Sequence, residues 1–329
     1  MKKILAVIVA SILILSMAAC GSKSPTTEPG NGTLAPEASG ATTSDTNSGA
    51  TGKKVSLLTP YLSSVTTNQM VEEMKAGMEA QGMVVTVVDT KGDFAQLASR
   101  IEDTVSSKAD AIVLVSADPS QVTTQLQSAF DAKIPVFGCD SGFVEGMMVN
   151  ATSDNYAMGE LITKYLFEDL MGGKGTVIAL THRPHPGVSK RCTAFDDMIK
   201  KYPDIKLITE QHVEVPGPIE SSRKVMENLI LSNSSKDSIT AVWSAWDEPA
   251  IGATQALQDA GRNEVIVVGV DGNSQAVELI NKDTNLKATV AQNFEGMAEI
   301  VITEMTKMFN GEEITKGEQY APASIITKK

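Results

Sequence analysis

Ala111-Ile112-Val113-Leu114-Val115-Ser116-Ala117-Asp118 runs five unbroken apolar residues into a small polar step and then an acid. A strand apolar at every position, not at alternate ones, must be covered on both faces, and helices flanking a parallel sheet provide that cover. The pattern recurs at Val136-Phe137-Gly138-Cys139-Asp140, Ala241-Val242-Trp243-Ser244-Ala245-Trp246-Asp247 and Val267-Val268-Gly269-Val270-Asp271. Working outward, ten strands are expected at 55–58, 84–88, 111–115, 135–137, 147–150, 176–180, 206–210, 241–244, 265–270 and 287–291. Helix-length segments lie between most of them, at 68–81, 93–107, 121–132, 154–171, 189–201, 219–232, 249–260 and 294–310. In the first, Met70, Val71, Met74 and Met78 fall on one face at three- and four-residue steps. Such β-α alternation predicts an α/β protein with doubly wound parallel sheets, and ten strands suggest two of them.

In open α/β sheets, ligands bind beyond the carboxyl ends of the strands. The acids there can also be helix caps. For Asp118 the cap is favoured, because Pro119 suits the first helical turn. For Asp140 the cleft is favoured, because Gly142 and a β-run follow. Spacing leaves Asp271 open between the two, and Asp247 and Glu248 could both be first-turn acids complementing a helix dipole.

The ends of the chain and its charge restrict the class. Lys2 and Lys3 precede an apolar run over 4–15 that is too short to span a bilayer, so 1–19 reads as a signal peptide. Met17-Ala18-Ala19-Cys20-Gly21 resembles the lipobox of bacterial lipoproteins, with Met17 where Leu is usual. That resemblance implies lipidation at Cys20 and an extracytoplasmic, membrane-anchored protein; the alternative is a secreted chain with an unmodified Cys20. Gly, Ser, Thr, Pro, Ala and Asn dominate residues 21–52, so 20–53 is expected to be a lipidated Cys on a flexible tether. The formal charge of −12 becomes −14 once Lys2 and Lys3 leave, and an acidic body without a basic stripe argues against nucleic acid.

The order of the body's motifs is similar to that of the ribose-type periplasmic sugar-binding family, the type I fold shared with LacI-like effector domains. The similarity rests on 109–119, on Ile134-Pro135-Val136-Phe137-Gly138-Cys139-Asp140, on Ala151-Thr152-Ser153-Asp154-Asn155-Tyr156-Ala157-Met158-Gly159 and on Val267-Val268-Gly269-Val270-Asp271-Gly272. Arg191-Cys192-Thr193-Ala194-Phe195 and Ala288-Thr289-Val290-Ala291-Gln292 support it. The resemblance implies two lobes crossed three times by the chain, near 153–154, 292–293 and 321–322. The N-terminal lobe would be 54–153 plus 293–322, and the C-terminal lobe 154–292 plus 323–329. It implies a monomeric binding protein that captures a sugar-like ligand and feeds the permease of an ATP-driven importer, with no cofactor. A sensor docking on a receptor kinase or chemotaxis receptor is the alternative partner reading.

Matching motifs imply ligand contacts at Asp140, Arg191, Asp271 and Gln292, and more loosely at Asn68, where 61–67 holds an insertion. The departures are Ser141 in place of an Arg, Trp246 in place of an Asn, and Met70-Val71 in place of paired Phe residues. Trp246 is therefore the expected stacking platform, with Tyr61 and Phe143 as further wall candidates. His185 and Asp247 are weaker candidates. His182 and His185 lie in a Pro-broken loop that could line the cleft, face solvent or, less favourably, bind metal; no ligand set completes a metal site. Asp140 and Asp271 against the single clear cation Arg191 allow a neutral sugar or polyol, or secondarily an amino sugar. Enzyme signatures are missing: Gly172-Gly173-Lys174-Gly175-Thr176 lacks phosphate-loop spacing, and no nucleophile elbow occurs. The family mapping puts Cys139 and Cys192 in opposite lobes, where a disulfide would clamp the hinge; two free thiols are expected.

Overall fold

A computed structural model describes residues 49–329, and the signal, Cys20 and most of the tether lie outside them. The first sheet contains β1 (Lys54–Thr59), β2 (Val84–Asp89), β3 (Ala111–Val115), β4 (Val136–Cys139) and β5 (Val149–Thr152). Between and after them come α1 (Val65–Ala80), α2 (Phe94–Ser106), α3 (Thr123–Asp131) and α4 (Asn155–Lys164). The second sheet contains β6 (Gly175–Thr181), β7 (Ile205–His212), β8 (Ala241–Ser244), β9 (Ile266–Asp271) and β10 (Leu286–Ala291). Its helices are α5 (Pro186–Ile199), α6 (Pro218–Ser232), α7 (Asp247–Asp259) and α8 (Ser274–Asn281). The chain then forms α9 (Phe294–Phe309), β11 (Gly317–Tyr320) and β12 (Ser324–Thr327). The sheet orders are β2-β1-β3-β4-β5-β11 and β7-β6-β8-β9-β10-β12, all pairings parallel except β10 with β12. These are two doubly wound α/β sheets.

The five apolar residues of β3 are all fully buried, and they divide between two cores. Ala111, Val113 and Val115 pack on the side of α1 and α9; Ile112 and Leu114 pack on the side of α2 and α3. Each fully buried Val, Leu or Ile contributes about 1.5–3 kcal/mol of transfer free energy, so a strand apolar throughout stabilises only a two-faced sheet. The chain passes between sheets after β5, after β10 and after β11, with α9 packed on the first sheet.

Several features differ from the sequence expectation. Helix α8 lacks an expected counterpart; at eight residues it shows too few turns to display its period. Strands β11 and β12 are edge strands with half-buried or exposed positions, so no apolar run announces them. Helix α5 starts three residues early because His185 caps it and Pro186 occupies its first turn. The last tether residues are folded: Ala50 is fully buried in the first core, and the Gly49 amide donates to Asn310 Oδ1 at 2.8 Å.

Cys139 and Cys192 are free and buried. Burial is the main cause that pushes both thiols up, Cys192 to about 12, so neither carries appreciable thiolate at neutral pH. Thiol labelling of these two should be slow in the native protein and reach both sites after denaturation without reductant; labelling that needs reductant would refute the free-thiol state.

Candidate functional site

Three strands of the two sheets end in residues with positive φ: Ser116 at 52°, Asp140 at 49° and Asp271 at 131°. Such backbone is strained for non-glycine residues by about 1–3 kcal/mol each and tends to occur where side chains are aimed for function. Gly272, also at positive φ, lets the β9–α8 turn press against β10, since a Cβ there would lie 2.4 Å from that of Ala291. All three strained residues line one cleft between the lobes.

Arg191 reaches the cleft from α5 and is buried to 2% exposure. Its Nε donates to Asn155 Oδ1 at 2.8 Å, and its Nη1 donates to the Ala245 carbonyl at 2.9 Å and to Asp271 Oδ1 at 3.1 Å. Gln292 Nε2 donates to the same Asp271 oxygen at 2.8 Å. Burial still raises the Asp271 carboxyl, against the opposing pull of Arg191 and Gln292. Across the cleft, Asp140 Oδ1 is buried with no hydrogen-bond partner. Burial pushes its carboxyl up to about 7; Arg191 opposes that, Asp271 adds to it, and the Thr152 hydroxyl opposes it further.

Hydrogen bonding sets the tautomers of the two histidines. His185 Nδ1 accepts from the Gly187 and Val188 amides, at 3.2 and 3.4 Å, so the neutral ring carries its proton on Nε2. That nitrogen faces Asp140 Oδ2 at 3.9 Å, and burial holds the imidazole down to about 3. His182 Nδ1 lies 3.1 Å from the Val213 carbonyl, which can only accept. His182 Nε2 is therefore a lone pair, 3.4 Å from the Tyr61 hydroxyl that donates to it. Burial pushes that phenol up to about 12, with Asp118 adding to the effect, so it remains a donor. The Tyr61 ring lies 5.9 Å from His182 and 6.0 Å from His185, and Trp246 lies 6.1 Å from His182. An aromatic wall thus faces a floor of carboxylates and one guanidinium.

Of the residues read from sequence, Tyr61, Asp140, His185, Arg191, Trp246 and Asp271 share this cleft. Four stand elsewhere. Asn68 does not line the cleft; Thr66 and Thr67, just before it in the first turn of α1, line it in its place. Phe143 is 39% exposed on the β4–β5 loop and does not form wall. Asp247 is fully buried and accepts from Thr289 Oγ1 at 2.7 Å and the Asn273 amide at 2.9 Å, which anchors the β9–α8 turn. Gln292 borders a neighbouring hollow and acts on the cleft only through Asp271. Glu248, the sequence neighbour of Asp247, does line the cleft, as do Ser64, Ser116 and His182. Ser116 could have been found from its place at the end of β3; the residues of 64–67 follow no apolar strand that would have pointed to them. Asp118 accepts from the Ser120 amide as a cap. Among the described residues no group of three or more His, Cys, Asp or Glu side chains is placed to hold a metal ion.

The raised carboxyl of Asp140 has a defined sign. Between its ordinary value of 3.8 and about 7, the unfolded chain ionises while the closed, folded protein keeps the proton, so stability is lost as pH rises through that window. Asp140→Asn should remove that part of the pH dependence, raising the melting temperature relative to the parent by several degrees at pH 8 and little at pH 4. Parallel melting curves for the two proteins from pH 4 to 8 would contradict the assignment.

The periplasmic binding protein domain family matches residues 55–313. The ribose import binding protein of Bacillus subtilis is 29% identical over 270 residues, covering 80% of this chain and 84% of that protein. A D-apiose import binding protein of Actinobacillus succinogenes is 29% identical over 255 residues, covering 77% and 81%. Among solved structures, an ABC transporter solute-binding protein from Agrobacterium vitis with bound allitol superimposes with a TM-score of 0.79 at 28% identity, covering 85% of this chain and 97% of that one. With its two crossed sheets, its interlobe cleft and a match spanning most of its length, the chain belongs to the periplasmic binding protein domain family, the solute-binding proteins of ABC transporters.

Proposed function

We propose that this protein captures a neutral monosaccharide or polyol between its lobes and delivers it to the permease of an ATP-driven importer. The observation that carries the reading is the unpartnered, buried Asp140 oxygen, which lies with the Arg191–Asp271 pair under a wall of Trp246, Tyr61 and two neutral histidines. Carboxylates and a guanidinium fork suit vicinal hydroxyls, and ring faces suit sugar C–H surfaces. The ribose, apiose and allitol named for its relatives are of this chemical class. Lobe boundaries at 153–154, 292–293 and 321–322, a lipid on Cys20 and action as a monomer complete the proposal. They rest on the motif order and the lipobox resemblance.

A second reading is an amino sugar. It is favoured by the same Asp140 oxygen, since Ser141 leaves it without an adjacent cation and both histidines are held neutral. Micromolar affinity corresponds to about 8 kcal/mol, within reach of a few charge-assisted hydrogen bonds. Titration calorimetry with D-ribose, allitol, myo-inositol and D-glucosamine should give micromolar or tighter binding to at least one neutral compound. Preference for glucosamine would favour the second reading, and heat from none of a broad sugar panel would refute both.

Asp140→Ala should weaken binding of the responding sugar by about 10- to 100-fold, the loss of one hydrogen bond to a charged group. Arg191→Ala should also lower thermal stability, because it strands Asp271 as an unpaired buried charge, a loss of about 3–5 kcal/mol. Unchanged affinity in Asp140→Ala would place the sugar elsewhere.

A further inference from the structure

Ser64 occupies the N-cap of α1, yet its side chain makes no cap hydrogen bond. Its hydroxyl instead donates to Glu248 Oε2 at 2.9 Å, and Glu248 belongs to the first turn of α7, in the other lobe. The Val65 amide, the first of α1, and the Trp246 indole both face the Glu248 carboxylate and favour its charged form. Glu248 is buried to 5% exposure. One carboxylate from across the cleft therefore stands at the N-terminus of α1, bonded to its N-cap serine and beside the Trp246 indole. An acid at a helix N-terminus satisfies free amides and meets the positive end of the helix dipole. When the lobes part, Glu248 must leave α1, and the serine is the residue type best suited to take over the cap.

We infer that Glu248 is a positioning residue for solute capture: a cap for α1 delivered from the opposite lobe, which latches the closed form and sets the Trp246 wall in one movement. The inference rests on the reading of the cleft as a solute site, but its central contact joins protein to protein and exists whatever the solute is. Other contacts cross the cleft, such as His185 to Asp140 and Lys190 Nζ to Glu318 Oε1 at 3.3 Å. Glu248 differs in joining a buried carboxylate to the end of a helix and to the ring that would stack on the solute.

The test uses the full chain with Cys20→Ser and spin labels on Glu145→Cys and Glu214→Cys, exposed positions in opposite lobes; Cys139 and Cys192 are buried. Interlobe distances are measured by pulsed electron resonance without solute and with saturating D-ribose, allitol or myo-inositol. Glu248→Ala and Ser64→Ala should each reduce the short-distance population at least threefold in every condition where the parent shows one. The double variant should lose no more than Glu248→Ala alone. For a sugar that binds the parent, Glu248→Ala should speed release at least tenfold with the association rate within twofold, and Glu248→Gln should fall between. Distance distributions like the parent's, additive effects of the two substitutions, or a parent without any short-distance population under all conditions would overturn the latch. A sugar-insensitive parent whose solute-free distances still respond to Glu248→Ala would reject the sugar reading and leave the latch standing. Circular dichroism of each variant separates these outcomes from misfolding.

Discussion

The buried contact between Arg191 and Asp271 is the constraint on which the cleft depends. A guanidinium at 2% exposure is tolerable only if its donors are met, and here they reach one residue after β8, the last residue of β9 and the first residue of α4. Through Asn155 it also touches the crossing between lobes, because Asn155 Nδ2 donates to the Ser153 carbonyl at 3.1 Å and to Thr152 Oγ1 at 3.2 Å. Gly159 makes the placement possible: a Cβ there would sit 2.7 Å from the Arg191 carbonyl oxygen, so only glycine lets α4 and α5 approach this closely. The pair is better understood as organising the site than as stabilising it, since desolvation offsets much of the attraction between buried ions.

Around that centre the electrostatics are uneven. The C-terminal lobe neutralises one of its cleft carboxylates, with Arg191 and Gln292 on Asp271. The N-terminal lobe does not, since Asp140 has a neutral histidine at 3.9 Å and one oxygen without a partner. A solute with hydrogen-bond donors therefore gains most from meeting Asp140, and an anionic solute would meet repulsion there.

Much of the fold was legible because β3, β8 and β9 are apolar at consecutive positions, which only a sheet covered on both sides accommodates. What escaped was short or at an edge: α8 with eight residues, and β11 and β12, whose sequences look like loop because one side of each remains open. In the site, residues that end apolar strands were readable, as Asp140 and Asp271 were. Adjacent acids were harder. Asp247 and Glu248 differ by one helical step, about 100°, and that rotation sends one into the protein interior and the other into the cleft. No periodicity in four residues distinguishes them. The first loop was illegible for another reason: no apolar run or strand end marks 61–67, and Asn68 was expected where Thr66 and Thr67 stand.

The late return of the chain to its first sheet has a consequence for biosynthesis. Strands β1 to β5 emerge early, but the core on their α1 side is finished by Phe294, Met297, Val301 and Met305 of α9, and its edge by β11. A nascent chain therefore carries an uncovered apolar surface through more than a hundred further residues, while the second sheet is being made. The half-built first lobe keeps that apolar surface open until α9 and β11 are made.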